Sequence, residues 1–116
     1  MIQIERVYGK DLPDDVFKVL VDRLWPRGIA KKDGIVDAWY KEVSPSTALR
    51  KWFDHDPDKW ELFKKRYKAE LADKQDILEE IRSLEREHKK ILLLYSSKEE
   101  KFNNALVLKE VLSRKK

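Results

Sequence analysis

Apolar positions along the chain switch between a short period and a helical one. Ile2, Ile4 and Val7 are spaced as on a strand, which is expected to end at Gly9, with Asp11 to Asp15 forming the turn around Pro13. Phe17 to Trp25 reads as a second strand, and its Val19-Leu20-Val21 run is the pattern of a strand covered on both faces. Ala38 to Val43 is a shorter segment, either an edge strand or an irregular arm. Ser44-Pro45-Ser46 then turns into a short helix over Thr47 to Phe53, with Ser46 as its N-cap. Asp56-Pro57 places a capping carboxylate before a first-turn proline, and Trp60, Phe63, Tyr67 and Leu71 follow at helical spacing as a core-facing stripe. A third amphipathic helix is expected from about Lys74 to His88, its face carried by Ile77, Ile81, Leu84 and His88. It leads into Ile91 to Tyr95, apolar throughout and read as the central buried strand, and a last helix over Asn103 to Ser113 carries Ala105, Leu108 and Leu112 on one side. Arg114 to Lys116 reads as a frayed end. Apolar strands separated by helices predict an α/β layer fold, a mostly parallel sheet flanked by helices, with residues 1–116 as a single small domain.

Composition narrows the chemistry. The chain has 116 residues and no cysteine, which excludes a disulfide scaffold, a thiolate zinc site and a cysteine nucleophile. Its longest apolar run, Ile91 to Tyr95, is far short of the roughly 18 to 20 residues of a membrane span, and Met1-Ile2-Gln3-Ile4-Glu5 lacks the build of a signal peptide. A soluble cytoplasmic domain with no membrane partner is the expectation. The net charge of +4 is mild, but charged residues make up 41% of the chain and the two signs are interspersed from Asp54 to Lys90. That describes a solvated, ion-pair-rich surface better than a nucleic-acid stripe. Such a composition is also what heat-adapted proteins tend to show, and on that hypothesis melting lies above the ~45 to 65 °C of mesophile domains.

In open parallel sheets, ligands bind beyond the carboxyl ends of the strands. If the second and the central strands are neighbours, Asp22-Arg23-Leu24-Trp25-Pro26-Arg27-Gly28 and Tyr95-Ser96-Ser97-Lys98 face one crevice. Arg23 and Arg27 offer planar forks suited to carboxylate or phosphate, Trp25 a stacking face, Pro26 a stiff turn and Gly28 access to positive φ. The competing reading is that Asp22 pairs internally with an arginine while Trp25 plugs the rim of the core. Ser96, Ser97 and Lys98 before an oncoming helix suit an anion, although serines also serve simply as caps. Asn103 and Asn104 are placed to cap the last helix or to contact a ligand. Asp54-His55-Asp56-Pro57-Asp58 resembles a metal set, but Asp56 is better explained as an N-cap and Asp58 as a first-turn carboxylate, so no metal site is expected. His55 stays a candidate acid, base or ligand contact beside Asp22, and Arg50 and Trp52 are candidates for one wall of the site. With three unclustered glycines there is no phosphate loop or dinucleotide fingerprint, and no cofactor is expected.

The residues that carry this candidate site also carry a resemblance. Arg6-Val7-Tyr8, Val19 through Gly28 with Asp-Arg-Leu-Trp-Pro-Arg-Gly at its heart, Ser44-Pro45-Ser46 with Leu49 to Phe53, Tyr67 with Glu70-Leu71, Leu93 to Ser96 and Asn103 to Leu108 together resemble the YeaO-like branch of the DUF488 family. The likeness covers nearly the whole chain and implies a fold and a site location, but no reaction. Many members of that family bear a histidine where this chain has Asn104, and a longer branch bears cysteines near the corresponding strand end. This chain has neither.

Three functions remain open from the sequence. The first is a domain that binds a small anion, with or without turning it over, at Asp22, Arg23, Trp25, Arg27, Gly28, Arg50, Trp52, Tyr95, Ser96, Lys98 and Asn103, with Asp22 or His55 in any catalytic role. The second is a nucleic-acid-associated or regulatory protein, favoured by an isoelectric point near 9.2 and by four tryptophans. The third is a protein-interaction module without catalysis.

Overall fold

The computed structural model describes residues 1–9, 12–99 and 101–114. Asp11 of the expected turn, and Lys115 and Lys116 of the expected frayed end, lie outside the described residues. Four strands, β1 (Ile2–Arg6), β2 (Phe17–Leu20), β3 (Ala38–Trp39) and β4 (Ile91–Tyr95), form one sheet in the order β1-β4-β2-β3, and every neighbouring pair is parallel. Four helices, α1 (Thr47–Phe53), α2 (Trp60–Ala72), α3 (Gln75–His88) and α4 (Asn104–Ser113), complete the α/β architecture.

The sheet is flanked by helices on one face only. Ile91, Leu93 and Tyr95 of β4 and Val19 of β2 pack against Leu49, Phe53, Phe63, Tyr67, Leu71, Leu78, Ile81, Leu108 and Leu112 from all four helices. The opposite face, formed by Leu92, Leu94 and Leu20, is covered by Val7, Leu12, Val16, Trp25, Ile29, Ile35 and Val36 from the connections after β1 and β2, together with Trp39. Topology gives the reason. Parallel crossovers share one hand, so connections that advance across the sheet and the connection that returns must lie on opposite faces. β1 to β2 to β3 advances through described chain without an α-helix, its one regular element a 3-10 turn over Lys31–Asp33, whereas β3 to β4 returns through α1, α2 and α3.

Burial along each strand follows from this placement. Every residue of β4 is buried, because it has a strand on each side and a covered face above and below. Edge strand β1 alternates, with Gln3 and Glu5 exposed. The second strand is shorter than its apolar run suggests: ladder pairing stops at Leu20, Val21 N–H donates to Leu94 O at 3.1 Å, and Asp22 to Trp25 then leave the sheet. β4 stops at Tyr95, so residues beyond Val21 have no ladder partner, and Leu24 is 69% exposed. The Ala38–Val43 segment proves to be both alternatives at once, a two-residue edge strand followed by a 3-10 turn over Lys41–Val43.

The helix ends are where the caps put them. Ser46 Oγ accepts from Leu49 N–H at 3.1 Å, and Asp56 Oδ1 accepts from Asp58 N–H at 3.0 Å, opening a 3-10 turn that runs into α2. Asn103 Oδ1 accepts from Leu106 N–H at 3.0 Å. In α3 the fully buried residues are Leu78 and Ile81, with Ile77 and Leu84 flanking them. His88 lies at the helix end, exposed, with its ring stacked on Phe17 at 4.1 Å. Arg114 N–H donates to Val111 O at 3.3 Å, so the first residue of the expected frayed tail is tied to the end of α4. Among the described residues no helix is long and apolar enough to cross a membrane.

Candidate functional site at the strand ends

β2 and β4 are neighbours, with Leu20 paired to Leu94, so the loops that follow them do share the carboxyl edge of the sheet. Asp22 and Ser96 meet there. Asp22 Oδ2 accepts from Ser96 N–H at 2.8 Å and from Ser96 Oγ at 2.7 Å, so the carboxylate holds the first amide beyond β4. Asp22 therefore does pair internally, with a serine and its backbone in place of the expected arginine. Arg23 lies alongside. One terminal nitrogen donates to Pro45 O at 3.2 Å, and its Nε is buried without a partner.

A second set of polar groups is built around Tyr67, which feels the Asp22 charge. Tyr67 of α2 is fully buried, and its hydroxyl donates to Val43 O and accepts from Asn104 at the start of α4. Burial pushes the Tyr67 hydroxyl well above the usual tyrosine range; the Asn104 hydrogen bond pulls the other way, and the Asp22 and Glu70 carboxylates push it further up. Glu70 in turn accepts from Ser46 N–H at 2.9 Å and Ser46 Oγ at 2.5 Å, locking the start of α1 to α2. At the β1 side, Arg6 Nε donates to Ser97 O at 3.0 Å and its guanidinium lies 5.0 Å from the centre of the Tyr8 ring. Tyr8 Oη donates to Arg27 O at 2.7 Å, which brings the loop after β2 back to the rim beside β1.

The expected site residues separate into three groups. Asp22, Arg23, Ser96, buried Tyr95 and capping Asn103, whose Nδ2 also donates to Glu99 O at 2.9 Å, converge on the strand ends. Arg27, Gly28 and Lys98 lie exposed on loops that leave those ends, with Gly28 at φ 82° in the turn after Pro26. Trp25 turns away onto the loop-covered face: its Nε1 donates to Ile29 O at 2.6 Å, and its ring meets Trp39 edge-on at 5.5 Å. It plugs the rim of the core, because the helix-free face needs a large apolar cover.

Arg50, Trp52 and His55 form the last group, and no described contact joins them to Asp22 or Ser96. Arg50 is exposed on α1; Trp52 lies beneath the Arg66 guanidinium at 4.3 Å and the Lys59 ammonium at 5.2 Å; His55 is exposed at the left-handed turn between α1 and α2. The helical period places Trp52 beside Arg66 of α2, partly buried at the margin of the helix-side core. Arg6, Tyr67 and Glu70 were not among the expected site residues. Arg6 sits at the end of an alternating strand, and Tyr67 has the spacing of plain core, so only its partners distinguish it.

These contacts define a class: a small parallel α/β domain whose strand-end carboxylate, hydroxyls and amides are engaged with one another, while arginine and lysine side chains ring the edge. The chain belongs to the DUF488 family, in the group described as the inactive DUF488-N3 subclade, whose family model matches residues 1–116. It is 41% identical over 111 residues to the uncharacterized protein YeaO of Escherichia coli (strain K12), covering 96% of each chain. It is 46% identical over 78 residues to the uncharacterized protein Rv3073c of Mycobacterium tuberculosis (strain H37Rv), spanning 67% of this chain and 66% of that one. No solved structure matches it.

Proposed function

We propose that this chain is a binding protein that works without turnover and holds a small anion, a carboxylate or a phosphate, at the carboxyl edge of β4 and β2. The observation that carries the reading is Arg23: a guanidinium at the strand ends whose buried Nε has no acceptor. A buried donor left unmade costs about 1 to 3 kcal/mol, and because that atom is closed to solvent it is the terminal nitrogens, whose one described hydrogen bond goes to Pro45 O, that an anionic ligand would meet. Arg6, at the end of β1, adds positive charge to the same edge, and Arg27 and Lys98 lie on the adjoining loops. Binding is favoured over catalysis because Asp22 Oδ2 is already committed to Ser96, and burial keeps the Tyr67 hydroxyl protonated. The description of the subclade as inactive supports the same reading, as does Asn104 in the place where many relatives bear a histidine.

Thermal shift at low salt against phosphate, sulfate, acetate, sugar phosphates, nucleotides and short oligonucleotides tests this. One anion class should stabilise the protein by about 2.7 kcal/mol at a hundred times its Kd, unchanged in composition after incubation, with the shift lost in Arg23→Gln. A shift that survives in Arg23→Gln, or no shift with any anion, overturns the reading. Shifts with oligonucleotides alone that fade as salt rises would point to nucleic acid instead.

A further inference from the structure

Lys18 is a charged residue in the middle of a buried strand. It is 5% exposed, faces the loop-covered side of the sheet opposite Leu92, and its ammonium makes a single described hydrogen bond, to Val16 O at 3.1 Å. An ammonium has three donors and no acceptor capacity, and a buried cation is costly unless paired. No ion pair of Lys18 is found among the described residues. Asp37, the acid nearest along the sheet, is spent on the backbone, accepting from Lys18 N–H at 2.8 Å. A lysine that merely covers apolar surface would extend its head into bulk water. This one lines a pocket of about 220 Å³ between the connection after β1 and the segment before β3, together with apolar Val7 and Leu12 and the exposed residues Asp14 and Asp33. The volume lies below the ~300 to 1,000 Å³ of pockets for drug-sized ligands.

A buried cation and two exposed acidic residues in the lining of one small cavity put both signs of charge within reach of one ligand. We propose that this pocket is a ligand site for a small zwitterion of amino-acid size, its carboxylate accepting from the two unused donors of Lys18 and its ammonium facing Asp14 and Asp33. A simple dianion is disfavoured because Asp14 and Asp33 repel it, and a simple amine because Lys18 does. The site is on the opposite face of the sheet from the helices and shares no residue with the strand-end crevice, so its fate is independent of the anion reading above.

Titration of the full chain with β-alanine, acetate and ethylamine, followed through the backbone amide signals of Gly9, Gly34 and Ile35, tests the proposal. Saturable shifts are expected with β-alanine, weaker ones with acetate and none with ethylamine. Lys18→Met, which keeps the stem and removes the charge, should weaken β-alanine by at least about tenfold, the loss expected for a hydrogen bond between charged groups. Asp33→Asn alters an exposed side chain and leaves the core intact; it should narrow the advantage of β-alanine over acetate. The proposal is overturned if β-alanine gives no saturable shift, if its affinity is unchanged in folded Lys18→Met, or if acetate binds as tightly as β-alanine.

Discussion

Tyr67 shows what a single buried hydroxyl does here. Its ring belongs to the core stripe of α2, while its oxygen joins Val43 at the end of the Ala38–Val43 segment to Asn104 at the start of α4. Tyr67→Phe should cost about 1 to 2 kcal/mol, since the Val43 carbonyl and the Asn104 amide would lose a buried partner. The same substitution has a signature in pH. The folded-state pKa of Tyr67 is raised by burial, so this group's contribution is fully present below about pH 10 and is lost as pH rises further, where only the unfolded chain releases the proton. Urea unfolding at pH 7 and at about pH 10.5 should therefore show a steeper alkaline loss in the natural protein than in Tyr67→Phe. Tyr40, also pushed upward by burial and by Glu80 but only partly buried, should alter that slope less when changed to Phe. Asp22 illustrates the complementary point. A carboxylate at a strand end is visible in the sequence, but whether it faces an arginine, a ligand or a serine amide is decided by a residue 74 positions away.

Among the elements, the loop that follows β2 has the least regular structure and one of the largest packing tasks. Trp25, Ile29, Ile35 and Val36 cover Leu20, Leu92 and Leu94, where a conventional α/β domain would place helices. Trp25→Ala should cost about 3 kcal/mol, near the lower end for an aromatic lost from a core because Trp25 is only half-buried. Its exposed neighbour in Arg27→Ala should change stability by no more than about 0.5 kcal/mol. Chemical denaturation of the two variants separates packing from charge at two residues that both read as site candidates. Helix positions and caps were legible because both are local: Ser46, Asp56 and Asn103 each bond an amide two or three residues ahead. The end of β2 was not, since a strand stops where its partner stops, and that partner is far along the chain.

At the scale of the whole molecule, the interspersed charges form exposed pairs such as Arg86 with Glu79 at 2.7 Å and Lys64 with Glu61 at 3.2 Å; Lys68 with Glu110 joins α2 to α4. Pairs of this kind contribute less than about 1 kcal/mol each and are screened by salt. Stability should therefore rest on the two apolar clusters that share the sheet, and raising sodium chloride from 20 mM to 1 M should move Tm by no more than about 5 °C in a melting scan. A larger fall would show that the charge network, and with it the composition typical of heat-adapted chains, carries the fold.

By itself the sequence determined the elements, their caps, the α/β class and the central place of Ile91 to Tyr95, because periodicity and capping depend on residues within a few positions of one another. It also marked Asp22, Arg23 and Ser96 as belonging to one edge. Tertiary structure alone decided that β4 inserts between β1 and β2, that helices cover one face and loops the other, that Trp25 faces core while His55 and Trp52 make no described contact with Asp22 or Ser96, and that Lys18 and the Arg23 Nε are buried short of partners. Those outcomes depend on which distant segments meet. Burial and the partnering of polar groups are properties of such meetings, and no local pattern encodes them.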